Sequence, residues 1–182
     1  MHVKITSTQN PKIKSLLALE KPRERRKQNL FIVEGAQEVR MALEAGYKIV
    51  NIFFCEEILE PKTEDLLQDD KHVIPVSREV FDKIAVREST GGILAVAEQK
   101  AHRLDDLVLR KTPLLLILEA VEKPGNLGAI LRTADAAGVD AVIICDPHTD
   151  FYNPNVIRSS VGCVFTKQMA SATSEETIAL LK

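Results

Sequence analysis

Tryptophan is absent from the 182-residue sequence, and tyrosine and phenylalanine bring the aromatic share to only 4%. Stacking on aromatic rings is therefore a poor basis for ligand readout by this chain. Cysteine is scarce: Cys55, Cys145 and Cys163 are odd in number, far apart and set among apolar neighbours. Such a set argues against a disulfide framework or a zinc site, and it reads as free, buried thiols in a reducing cytoplasm. His2, His72, His102 and His148 lack metal-ligand spacing and read as structural, so no metal is expected. No apolar run approaches the roughly 18–20 residues of a membrane span, and no membrane partner is expected. The opening Met1-His2-Val3-Lys4-Ile5-Thr6 has no apolar signal core. The glycine fingerprint of dinucleotide sites and the lysine-bearing phosphate loop are also missing, which disfavours a nucleotide-phosphate site.

What is present is an ordinary globular composition, 45% hydrophobic and 27% charged. The net charge of −2 hides an asymmetry. Residues 1–48 carry ten Lys and Arg against five Asp and Glu, whereas the rest of the chain is mildly acidic. A positive head on an acidic body hints at a polyanionic partner at one end.

Strands and helices alternate along the first half, which predicts an α/β sandwich over residues 1–98. Asn10-Pro11 opens a helix with Ile13, Leu16, Leu17 and Leu19 on its apolar face. The basic segment from Pro22 to Gln28 follows, then a strand at Leu30–Val33 and a helix that places Val39, Ala42 and Leu43 together. Further strands are read at 49–55, 72–76 and 92–97, with helices at 61–68 and 78–85. The polar stretch 99–112 reads as a linker holding a short helix. The second half restarts at Leu114-Leu115-Leu116-Ile117-Leu118, apolar at every position and so expected to be buried on both faces. A helix over 126–137, a strand at 141–145, a helix opened by Asn153-Pro154, a short strand at 164–166 and a last helix capped by Thr173 or Ser174 complete the pattern.

The sharpest local signal lies in the loop and helix after Leu118. Ligands in parallel sheets bind where strand ends run into helix N-termini. Asn126 sits at such a helix start, where it can cap the helix or reach a ligand. Gly128 lets another backbone or a substrate come close. Arg132 lies less than two turns further on. Taken singly, each is more often structural than functional. The basic residues Lys12, Lys14, Arg23, Arg25, Arg26 and Lys27 are the candidate polyanion contacts.

The run Asn126-Leu-Gly128-Ala-Ile-Leu-Arg132-Thr-Ala-Asp-Ala-Ala-Gly138 resembles the first signature motif of the SpoU (TrmH-like) RNA methyltransferases. Asn153-Pro154-Asn155-Val-Ile-Arg158-Ser-Ser160-Val-Gly162 resembles the segment that follows it. Thr8–Lys14, Phe31–Gly35 and Thr90–Val96 resemble that family's substrate-binding domain, in the same order. The resemblance implies a ribosomal-protein-like α/β domain that binds structured RNA, either rRNA or tRNA. Over 113–182 it implies the first part of a trefoil-knotted, SPOUT-type parallel-sheet domain. The reaction implied is methyl transfer from S-adenosylmethionine to a ribose 2′-hydroxyl, by a cytoplasmic homodimer. Arg132 matches the family's catalytic arginine, Asn126 its motif asparagine, and Arg158 joins the expected RNA contacts. Because a guanidinium stays protonated, Arg132 is expected to clamp a phosphate rather than act as a base.

The family's two later, cofactor-holding motifs are not found before Lys182. The cofactor residues are therefore expected beyond Lys182, and the chain alone is expected to be inactive. The alternative is a noncatalytic RNA-binding module that retains the scaffold.

Overall fold

The computed structural model describes residues 3–68, 72–86 and 90–182; His2 lies outside them. The chain divides into two units, Met1–Gln99 and Lys100–Lys182.

In the first unit, Asn10 caps α1 (Pro11–Ala18) by accepting the Lys12 N–H at 2.9 Å, and Pro11 fills the first position, where no N–H is needed. The basic segment forms a helix of its own, α2 (Pro22–Gln28), ended by Asn29 at φ 54°. Then come β1 (Leu30–Glu34), α3 (Ala36–Glu44), β2 (Ile49–Phe54), a 3-10 helix over Pro61–Leu67, β3 (Val73–Pro75), α4 (Arg78–Ile84) and β4 (Ile93–Glu98). The sheet order is β1-β4-β2-β3, antiparallel except for the β2–β3 pair.

The alternation along the strands builds two apolar faces. Phe53, Leu94 and Val96 join Ile13, Leu16 and Leu19 of α1 and Val80, Phe81 and Ile84 of α4 in one core. Phe31, Val33 and Ala95 are buried with Val39 and Ala42 of α3. Leu43, expected beside them, is exposed instead: α3 turns only Ala36, Glu38, Val39 and Ala42 inward.

In the second unit, β5 (Leu115–Glu119), α5 (Pro124–Ala136), β6 (Ala141–Cys145), α6 (Pro154–Ser160), α7 (Cys163–Thr166), β7 (Gln168–Ala172) and α8 (Ser174–Leu180) follow in order. The three strands are parallel, with β6 in the middle. β6 is buried at every position, as its continuous apolar sequence predicts. β5 has the same kind of sequence but lies at the edge, where Leu114 and Ile117 are exposed. The expectation of burial on both of its faces is thus corrected: apolarity does not distinguish a central strand from an edge.

The short strand expected at 164–166 is helix α7, and the strand falls two residues later. Gly162, at φ 84°, restarts helical winding, and the buried Ser160 hydroxyl receives the Val164 N–H, overriding the strand preference of Val164 and Phe165. The stretch read as a linker is fastened to the second unit. Gln168 exchanges two side-chain bonds with the Val108 backbone, the Ser171 N–H donates to the His102 carbonyl, and Leu104 and Leu107 pack on Ile143 and Ala170. Thr173 caps α8 in a reciprocal box with Glu176.

Candidate functional site

α5 starts from the loop that leaves the carboxyl end of β5. Its cap position is Lys123, extended and without a side-chain bond, and Pro124 is the first helical residue. Asn126 is therefore not the cap but lies within the first turn, exposed, its amide making no hydrogen bond among the described residues. The capping explanation for this asparagine falls away, leaving its amide available to a ligand.

Arg132 is also exposed and has no carboxylate within ion-pair distance among the described residues. It stands six residues beyond Asn126, so the two lie about 9 Å apart along the helix and about 120° apart around it. The Cys163 thiol of α7 is pushed up by burial first and by Asp135 second, while the charges of Arg132 and Lys167 oppose that rise. Lys167 is already engaged, with Asp135 at 3.1 Å and the Val139 carbonyl at 2.9 Å.

Gly128 brings the two motif segments together. A Cβ there would meet Ser159 Oγ at 1.9 Å and both the Ser160 N and the Val156 carbonyl oxygen at 2.7 Å. α5 and α6 thus touch backbone to backbone. The close approach anticipated for this glycine is to another helix, not to a substrate. Asn153 caps α6 through the Asn155 N–H at 2.9 Å, and Arg158 projects from α6 exposed.

Of two strained turns, one had a turn signal in the sequence and one had none. Ala120, just after β5, and Asp146, just after β6, both hold positive φ (48° and 47°). Non-glycine residues in this region are uncommon and cluster at functional turns. Asp146 accepts from the Ser174 hydroxyl at 2.8 Å and fixes the start of α8. Asp-Pro at 146–147 suggests a turn, but nothing marks Ala120.

In the first unit, Lys12, Lys14, Arg23, Arg26 and Lys27 are exposed and make no side-chain bond or ion pair among the described residues. Arg25 is different and corrects the expectation. It is 1% exposed, and its Nη1 donates to the Leu19 and Glu20 carbonyls at 2.8 Å each. Its guanidinium closes the end of α1 instead of facing a polyanion.

The family described as the MRM3-like substrate binding domain matches residues 10–95, and the SpoU rRNA methylase family matches residues 113–182. A crystal structure of an RNA 2′-O ribose methyltransferase is 36% identical, with a TM-score of 0.84 over 98% of this chain and 69% of its own. The chain belongs to the SpoU methylase family. Its mixed α/β architecture with a parallel sheet is the one those structures share. An AdoMet-bound rRNA methyltransferase from Sinorhizobium meliloti is 29% identical, with a TM-score of 0.85 over 98% of this chain and 68% of its own. Among curated relatives, the 23S rRNA (guanosine(2553)-2′-O)-methyltransferase RlmP of Bacillus subtilis is 34% identical over 161 residues, which cover 88% of this chain and 62% of that protein. The RlmB enzyme of Haemophilus ducreyi is 46% identical over 128 residues, 65% of this chain and 51% of its own. The SpoU chain described here thus spans about three-fifths of the length of the first of these curated relatives.

Proposed function

We propose that the natural protein carrying this chain methylates a ribose 2′-hydroxyl of rRNA or tRNA, with S-adenosylmethionine as donor. The observation that carries this reading is the Gly128 contact, which packs the Asn126–Arg132 motif against the Asn153–Gly162 segment inside a match to a methylase family. The cofactor's part is to present an electrophilic methyl on a sulfonium. Beyond the ends of β6 and β7 the polar groups of Asp146 and Ser174 satisfy each other, so these residues make no cofactor cradle by themselves.

Arg132 offers a planar, permanently charged fork with no competing carboxylate. On a phosphate next to the target ribose it would hold the sugar in place and favour the negative charge that grows on the 2′-oxygen. The proton goes to water or phosphate, since a guanidinium does not accept it. Asn126, with its amide unengaged, would orient the ribose or the clamp. Arg158 extends the positive surface of the second unit. Lys12, Lys14, Arg23, Arg26 and Lys27 of the first unit hold the RNA by its phosphates.

The protein would work as a cytoplasmic homodimer. Leu114, Ile117, Ile178 and Leu181 of the second unit are exposed and so available to a partner copy, and sedimentation of the natural protein tests it.

The deciding experiment is transfer of radiolabelled methyl to total RNA from a strain lacking the gene, followed by alkaline hydrolysis. A 2′-O-methyl group blocks cleavage at its own linkage, so label in an alkali-resistant dinucleotide supports the assignment. RNA binding without any transfer supports a binding module instead.

A further inference from the structure

The first unit contains a cleft of about 110 Å³ between α1 and the sheet. Its walls are apolar, from Leu16 of α1, Leu30 of β1 and Val50 and Phe53 of β2, and its rim is polar, from Lys12, Ser15 and Asn51. A strand irregularity makes this rim. Ile49 pairs with Ala97 and Asn51 with Val96, so Val50 is an extra residue on β2. In a regular strand Val50 and Asn51 would face opposite ways; at this bulge both border the cleft.

The charge at the mouth is of one sign. No acidic residue lines the cleft, the Lys12 ammonium has no acid partner, and the Asn51 amide has no hydrogen bond among the described residues. α2 meets α1 beside it, with Ser15 Oγ 3.3 Å from Gln28 Oε1, so the exposed Arg23, Arg26 and Lys27 belong to an adjoining helix. The matching occupant has a flat apolar body, hydrogen-bonding edges and a negative charge outside. That describes a nucleotide. The volume approaches the roughly 150 Å³ that admits a benzene ring into an engineered cavity, and this cleft is open on one side.

We propose that the cleft receives one unpaired nucleotide of the RNA, an assignment that rests on the RNA substrate proposed above. The base lies between the apolar walls, the Asn51 amide reads its edge, and Lys12 neutralises its phosphate. The first unit thereby selects RNA with a base free of the helical stack.

The test uses a short RNA hairpin with a single bulged 2-aminopurine, and the same hairpin with that base paired to uridine. The bulged hairpin should bind on the order of 3–10-fold tighter, as one hydrogen bond plus apolar contact supplies. The 2-aminopurine emission should rise as the base leaves its stacked neighbours for a cleft lined by neither tryptophan nor tyrosine. Asn51→Leu removes the edge contact and Ser15→Tyr fills the mouth from an exposed helix face; each should bring the bulged hairpin down to the affinity of the paired one, with the melting temperature checked alongside. If wild type binds both hairpins equally with unchanged emission, or if both variants keep the preference, the cleft assignment is overturned while the RNA reading stands. If neither hairpin binds, both fall.

Discussion

Gly128 lies so close to Ser159 that a Cβ on the glycine would stand 1.9 Å from the serine Oγ. Only part of that clash is with a movable atom, because the Ser160 N and the Val156 carbonyl oxygen wait at 2.7 Å. Gly128→Ala should therefore destabilise the second unit by about 1–3 kcal/mol, the usual range for an overpacked contact. Ser159→Ala added to it should recover only a fraction, since the backbone clashes stay. A double variant as stable as wild type in thermal melting would show that the side chain alone sets the limit.

Arg25 and Arg23 are two residues apart and differ completely in role. Arg25→Ala removes two charge-assisted bonds to carbonyls and empties a buried site, so it should lose about 2–4 kcal/mol. Arg23→Ala, at an exposed position, should stay within about 0.5 kcal/mol of wild type. In RNA binding the order reverses: the Arg23, Arg26 and Lys27 triple neutralisation should weaken affinity and flatten its salt dependence. A salt slope unchanged in the triple variant would remove the first unit from RNA binding.

That contrast shows what the sequence made legible. Element types and caps were readable wherever a local device sets them, as with Asn10-Pro11, Asn153-Pro154 and Thr173. Tertiary placement was not. Within Arg23-Glu24-Arg25-Arg26-Lys27 the basic residues are chemically alike, and the arrival of α1's carbonyl end singles out Arg25. β5 and β6 are equally apolar, and only their order in the sheet separates an edge from a centre. At the candidate site, the Gly128 spacing pointed to a close approach, but what approaches is decided by α6, more than twenty residues away.

His102 gives a pH dependence with a definite sign. Burial, joined by the nearby Lys100 charge, lowers its pKa to about 4, and its Nε2 lies 2.8 Å from the Tyr152 hydroxyl. The unfolded chain titrates near the ordinary value of about 6.5. Between these values the unfolded state holds a proton that the folded state does not. Stability from this group is therefore full above pH 6.5 and is lost as pH falls toward 4, by at most about 3 kcal/mol and less for a ring that is not fully enclosed. Asp106, held below the usual carboxylate range mainly by its bond to Arg103, titrates beneath that window. Urea midpoints from pH 7 to 4 should fall for wild type and fall less for His102→Gln; parallel curves would mean His102 is not the group responsible.

Arg132 is the residue whose loss should separate chemistry from folding. It is exposed on α5 with no hydrogen bond or ion pair among the described residues, so Arg132→Ala should leave melting within the small range of surface helix substitutions. In the natural protein, methyl transfer should fall by a factor on the order of 10²–10³, the usual effect of deleting one preorganised donor that stabilises transition-state charge. RNA affinity should change far less, because five exposed cations of the first unit remain. Arg132→Lys should recover little activity, since a point charge does not reproduce a two-pronged grip on phosphate. Asn126→Ala should act in the same direction with a smaller loss, the amide being neutral. Single-turnover rates with saturating RNA isolate the chemical step from binding. Transfer at the parental rate by Arg132→Ala under those conditions would make Arg132 an ordinary surface residue and move the search for the charge-stabilising group elsewhere.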